Sequence, residues 1–290
     1  MSFMGGFPEI NPPKPHLNLE IDMEYLMKRS VVFTLLALLL LSALTVSAET
    51  PPRHFDLPEE AVIFFARSVA EGDFEAALSA MDAKATAATG NYRALVERIQ
   101  AIIPSSFLMA PEYPGYITLN QNRLRAQQGQ QLYGFVLSLL VPEMSSHAGS
   151  PMMIKDGMIQ FPDNTGSMSL DDFIARLNPE NLSALTLRQV FMLNSAVFNS
   201  DSHQENIKKM GAIYGFTQQV DFWAVYELNG QLYRHACTAV KRPSGWQLSG
   251  LNSPLIGTSA AGIAEPITQE DAAALIDSAD YVLFYDMLFN

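Results

Sequence analysis

The spacing of apolar positions changes along this chain, and each change marks an element. From Pro58 onward, Val62, Phe65, Ala66 and Val69 recur at the three-to-four-residue interval of one helix face. Asp56, Pro58 and Glu59 supply an acidic cap, a first-turn proline and early carboxylates at the positive end of the helix dipole. Gly72 ends that helix, and Asp73 caps a second one with Phe74, Ala77, Leu78 and Met81 on its apolar side. A helical hairpin is predicted. Residues 83–90 are small and polar and predict a loop. Asn91 then opens a third helix carrying Leu95, Ile99 and Ile102, which Pro104 stops.

The middle of the chain is less regular. Pro104, Pro111, Pro114 and Gly115 predict mostly loop, with a short strand over 116–119. Residues 123–141 predict a β-hairpin turning at Gln128-Gly129. A helix through 132–140 is the alternative, because β-branched residues are few there. Asp156-Gly157 supplies the positive φ angles of a type I′ turn inside a second hairpin, 152–161. Ser169 caps a short helix with Phe173, Ile174 and Leu177. Leu187, Val190, Phe191 and Asn194 predict a longer helix over 182–198, and a polar helix follows from Ser200 to Met210.

Beyond residue 216 the period falls to two. Val220–Leu228 and Leu232–Val240 flank Asn229-Gly230, the strongest short hairpin signal, and Pro243-Ser244-Gly245 turns the chain into a third strand, 246–251. A two-residue loop fixes the register, with Tyr226 opposite Tyr233, Ala224 opposite His235 and Phe222 opposite Cys237. Side chains alternate, so Phe222, Ala224, Tyr226, Tyr233, His235 and Cys237 share one face. Asp221, Trp223, Glu227, Arg234 and Thr238 lie on the other, with Glu227 near enough to Arg234 to pair. Residues 253–266 predict a loop. Thr268 with Asp271 then resembles a capping box, and 281–289 are apolar enough to dock on the body.

One stretch is apolar without any period: Val31–Leu41, broken only by Thr34, behind Lys28 and Arg29 and ahead of Val46-Ser47-Ala48. This is the three-part pattern of a secretory signal peptide, residues 27–48, cut between Ala48 and Glu49. An uncleaved membrane anchor is the alternative. No cysteine directly follows the apolar run, which excludes a bacterial lipid anchor. The expected location is extracytoplasmic, either periplasmic or secreted. Residues 1–26 are expected to be a disordered or non-native extension, and 49–290 a single domain.

Composition narrows the functions further. With 48% hydrophobic and 17% charged residues, a packed core is expected. The 30 acidic against 18 basic residues give a net charge of −12, which disfavours nucleic acid and anionic lipid surfaces. Cys237 is the single cysteine, so no internal disulfide forms. There is no Gly-x-Ser-x-Gly, phosphate-binding loop, dinucleotide-binding glycine pattern or His-Glu-x-x-His, and Gly257–Gly262 misses the nucleophile elbow by one residue. His54, His147 and His203 lack ligand spacing, so neither metal nor cofactor is expected, and no catalytic residue is nominated.

The hairpin face carrying Phe222, Tyr226, Tyr233 and His235 is the candidate ligand pocket, uncharged except where His235 takes a proton. The alternative is that these are satisfied core residues. Acid–base use of His235 would want a carboxylate within hydrogen-bond reach, and Asp221 faces the other way.

Pro58-Glu59-Glu60-Ala61-Val62-Ile63-Phe64-Phe65 with Glu71-Gly72-Asp73-Phe74-Glu75-Ala76-Ala77-Leu78 is similar to the opening helical hairpin of exported bacterial members of the nuclear-transport-factor-2-like superfamily. Val225–Gly230, Leu232–Lys241 and Gly245-Trp246-Gln247-Leu248 resemble its closing strands. The resemblance implies an α+β fold in which a helical hairpin packs on a curved antiparallel sheet, here with a large mixed insertion, leaving a pocket at the open end. The expected function is non-enzymatic binding of a small apolar ligand or a protein partner. A hydrolase or isomerase using His235, and a membrane-anchored interaction module if 27–48 stays uncut, are the alternatives.

Overall fold

The computed structural model describes residues 51–100, 109–110, 112–147, 152–161, 166–192, 199–253, 262–277 and 281–287. The N-terminal extension, the signal segment with its Ala48–Glu49 junction, Pro104 and the 257–261 stretch lie outside the described residues.

The opening hairpin forms as α1 (Pro58–Ala70) and α2 (Phe74–Ser79). Its first cap differs from expectation. Leu57 occupies the cap position, and the Glu60 carboxylate reaches back to accept from the Asp56 and Leu57 backbone N–H groups, both at 3.1 Å. Asp73 caps α2 as predicted, accepting from the Ala76 N–H at 2.9 Å.

Residues expected to be loop form a third helix, α3 (Ala83–Thr89). Its four alanines are small, but alanine is also the best helix former, and that property prevails here. Asn91 caps α4 (Tyr92–Ile99), accepting from Ala94 N–H at 3.0 Å, and the helix stops at Gln100 in the left-handed region.

The largest correction follows. No strand or turn forms over 116–141. Instead, Pro114–Leu140 is one helix of 27 residues, α5. Its buried positions are Asn120, Gln128, Gln131, Leu132, Phe135, Ser138, Leu139 and Leu140. That is helical spacing, but half of the stripe is polar, so a count of apolar residues does not register it. Each of these polar groups is used. Asn120 exchanges two hydrogen bonds with the Met109 backbone, Ser138 accepts from Ala264 N–H, and Gln131 accepts from Leu251 N–H.

A small sheet is made of β1 (Met153–Lys155), β2 (Met158–Gln160) and β3 (Ser167–Ser169), turning at Asp156 and Gly157 with φ of 51° and 74°. Ser169 caps α6 (Leu170–Arg176) as predicted. The helix expected from residue 182 is replaced over Thr186–Met192 by strand β4, while Asn194 lies outside the described residues. A β-bulge between Leu187 and Gln189 explains the misreading. One inserted residue brings Leu187 and Val190 to the same face, and Phe191 is buried on the opposite one, so the buried positions fall at intervals that mimic a helix.

The polar helix α7 runs Asp201–Tyr214 and ends on Gly215 with φ of 75°. The hairpin of β5 (Gln218–Leu228) and β6 (Gln231–Arg242) turns at Asn229-Gly230 with every predicted pairing present. Next come β7 (Gly245–Gly250), β8 (Glu265–Ile267), α8 (Gln269–Asp277) and β9 (Tyr281–Met287). The predicted capping box opens α8, with reciprocal bonds between Thr268 and Asp271.

Among the described residues a six-stranded antiparallel sheet runs β7-β6-β5-β4-β9, with β8 also pairing β6. The outer edge of β7 is covered by short bridges from Phe55 and Met81, which removes a free pairing edge. One sheet face packs Phe222, Ala224, Tyr226 and Cys237 against Val62, Phe65 and Val69 of α1 and Phe135 and Leu139 of α5. The other face is covered at one end by α8, with Trp223 and Ala236 against Ala272, and at the other by α7, with Val240 against Ile207. The chain is therefore α+β, with helices on both sides of a bulged antiparallel sheet. Glu227 and Arg234 do not pair with each other. Glu227 accepts from Arg188 at 2.9 Å, and Arg234 donates to Glu265 at 2.8 Å.

Candidate functional site

Phe222, Tyr226, Tyr233 and His235 do share one face, but that face is interior and filled. Their exposures are 1%, 0%, 3% and 2%. Phe135 of α5 occupies the space a ligand would need, with its ring centroid 4.5 Å from His235 and 5.2 Å from Tyr226. The His235 Nε2 lies 3.1 Å from the Leu251 carbonyl. Burial lowers its pKa to about 4, outweighing the backbone carbonyls of Leu251 and Gly262 that favour the proton. The imidazole is thus neutral near pH 7 and sealed from solvent. Burial pushes the Tyr226 and Tyr233 phenols and the Cys237 thiol upward in the same way. Tyr233 borders a surface cavity, beside Arg176 and Asn181.

The larger concavity lies elsewhere. A cavity of about 530 Å³ opens between α3 and α5 on one side and α7 on the other. The sheet supplies its wall through Gln219, Thr238, Ser249 and Gly250, and Asn252 follows just after β7. Gln127, Gln128 and Gln131 come from α5, and His203, Asn206, Met210 and Tyr214 from α7.

Asp82 and Thr86 line its floor, and Asp82 is held there by a buried ion pair. Arg242 Nη2 donates to Asp82 Oδ2 at 2.7 Å, with both side chains nearly inaccessible. Thr86 Oγ1 donates to the same carboxylate oxygen at 2.8 Å, and Gln128 Nε2 to the other at 3.1 Å. Arg242 Nη1 donates to the Tyr214 and Gly215 carbonyls, both at 2.9 Å, and to Thr89 Oγ1 at 3.1 Å. Asp82 stands at the N-terminus of α3 and Arg242 meets the C-terminus of α7, so each charge also opposes the end of a helix dipole. Gly215 is required at this junction: a Cβ there would overlap Thr89 Oγ1.

A second carboxylate, Asp221, lies behind the wall at 2% exposure. It accepts from Thr238 Oγ1 at 2.7 Å and Gln219 Nε2 at 3.1 Å, and makes no ion pair among the described residues. At the α7 side the Tyr214 phenol is raised by burial, with Arg123 and Arg98 pulling it the other way. The described residues hold no group of three or more metal-ligating side chains.

Sequence reasoning missed this site because many of its side chains are glutamines and asparagines spread over α5, α7, β5 and the segment after β7. The signal that could have found it is the run of amides at helical spacing in α5, which only burial makes legible.

No family model matches the sequence, and no curated protein matches it. Among solved structures, a cystatin-like protein from Ruminococcus gnavus is similar, with a TM-score of 0.45 and 18% identity over 79% of this chain. The match spans 45% of that protein's length.

Proposed function

We propose that this chain is an exported, non-enzymatic ligand-binding domain of the nuclear-transport-factor-2-like cone type, and that its ligand sits in the cavity between α5 and α7. The reading rests on that cavity. Its volume of about 530 Å³ lies in the range of small-molecule sites, roughly 300–1,000 Å³. Polar side chains converge on it from helices and strands, over a floor held rigid by the Asp82–Arg242 pair. Binding by a formed site avoids the entropy cost of ordering it. The signal pattern of residues 27–48 supports export, and the helical hairpin on a bulged sheet supports the cone reading. Against acid–base chemistry stands His235, enclosed by Phe135 and held neutral.

A thermal-unfolding screen of the purified protein against a chemically mixed metabolite library tests this. A ligand at a hundred times its Kd stabilises by about 2.7 kcal/mol, which raises Tm by several degrees. We expect such a shift, and expect Asn206→Trp, which fills the cavity from its exposed rim, to abolish it. A ligand effect that survives Asn206→Trp but vanishes in His235→Gln would place binding under the hairpin face and overturn the reading.

A further inference from the structure

Given that binding reading, the hydrogen-bonding state of the cavity names the ligand class. We infer that the cavity takes a neutral, hydroxyl-rich ligand, a mono- or disaccharide, in place of the apolar ligand expected from the hairpin face.

Neither carboxylate at the cavity is left for a ligand. The Asp82 carboxylate is matched by Arg242, and both Asp221 oxygens already accept from cavity-wall residues. Beside the His203 imidazole, the Ser249 and Tyr214 hydroxyls and the exposed Gln127, the cavity presents four amides with one end committed. Gln128 Nε2 donates to Asp82 and Gln219 Nε2 to Asp221, which leaves two amide carbonyl oxygens as acceptors. Asn206 Oδ1 accepts from Arg98, and Asn252 Oδ1 accepts from Gln131 at 3.1 Å, which leaves two amide NH₂ groups as donors.

These orientations are chemically fixed. A carboxylate only accepts and a guanidinium only donates, so Gln128, Gln219 and Asn206 cannot be flipped. Leu251 N–H donates to Gln131 Oε1 at 3.0 Å, which obliges Gln131 to present its NH₂ to Asn252.

Two acceptors and two donors around one space suit groups that do both, and a hydroxyl is such a group. A ligand carboxylate would meet the carbonyls of Gln128 and Gln219, and an ammonium would meet the NH₂ groups of Asn206 and Asn252. Either mismatch leaves polar groups that the ligand covers unpaired. Tyr214, Phe216 and Met210 add apolar surface for the C–H face of a pyranose.

The experiment is calorimetric titration of the purified protein with glucose, galactose, N-acetylglucosamine, maltose, cellobiose and chitobiose, against glucuronic acid and glucosamine. At least one neutral sugar should bind saturably, and the acid and amine at least tenfold more weakly. Asn206→Ala, at an exposed position, should keep its Tm and lose binding at least tenfold; Gln219→Leu should lose binding by a similar factor. Absence of binding by every neutral sugar at millimolar concentration overturns the inference. So does tighter binding of glucosamine or glucuronic acid, or unchanged affinity in both variants. A non-sugar ligand that binds and is excluded by Asn206→Trp would sink the saccharide inference while leaving the binding function standing.

Discussion

At the scale of single residues, Arg242 shows how much one side chain can fix. It joins β6 to both the start of α3 and the end of α7, and it does so buried. Removing one partner of such a pair strands the other charge in the interior. Arg242→Met should therefore cost about 3–5 kcal/mol in urea unfolding. Replacing both partners, as in Asp82→Leu/Arg242→Met, should recover most of that loss. A single-variant cost under about 1 kcal/mol would mean the pair is solvated rather than buried.

His235 makes a prediction in pH. The unfolded imidazole takes its proton near the ordinary value of 6.5, and the folded one not until about 4. Between those values the unfolded state binds the extra proton, so stability falls as pH drops through the window. At about 1.4 kcal/mol per pH unit, the loss approaches 3 kcal/mol at the lower end. His235→Gln keeps an N–H for the Leu251 carbonyl and should flatten the decline between pH 6.5 and 4. An equal decline in both proteins would show that His235 titrates normally. The Cys237 thiol, pushed up by burial, should resist a thiol-labelling reagent in the native protein and react in 6 M guanidinium. Fast native labelling would contradict the sealed face.

At the scale of elements, the legible ones were those whose local chemistry and packing agree. The Asn229-Gly230 hairpin carries its register in its turn, and Ser169, Asp73, Asn91 and Thr268/Asp271 announce their helices through caps. Two elements were hidden for opposite reasons. β4 wears a helical period because its bulge skips a residue at Arg188. α5 hides its period because Asn120, Gln128, Gln131 and Ser138 hold buried positions that apolar residues usually fill. Two of them, Gln128 and Gln131, line the candidate site, so the feature that concealed the helix also concealed part of the site. Gly129 discriminates between the two structures of this stretch. In α5 a methyl group added there meets nothing within 4 Å, so Gly129→Ala should stabilise by about 0.5–1 kcal/mol. At the turn of a hairpin it would destabilise instead, and a change in Tm reads the sign.

At the scale of the whole molecule, residues 51 onward carry both the sheet and the cavity, while the signal pattern lies in 27–48. No helix among the described residues is long and apolar enough to cross a membrane. Intact-mass measurement of exported protein should give an N-terminus at Glu49. A mass that retains residues 27–48 would favour the anchored form. The acidic surface implied by the net charge of −12 suits a neutral ligand better than an anionic one, in keeping with the cavity's amides.

The central claim is that a ligand enters between α5 and α7 and not beneath the hairpin face. Side-chain amide NMR of the ¹⁵N-labelled protein, followed through a saccharide titration, addresses it directly. Shifts concentrated at the NH₂ groups of Gln128, Asn206, Gln219 and Asn252, with the His235 ring signals unmoved, are the predicted result. Movement of His235 with those four amides silent would contradict it.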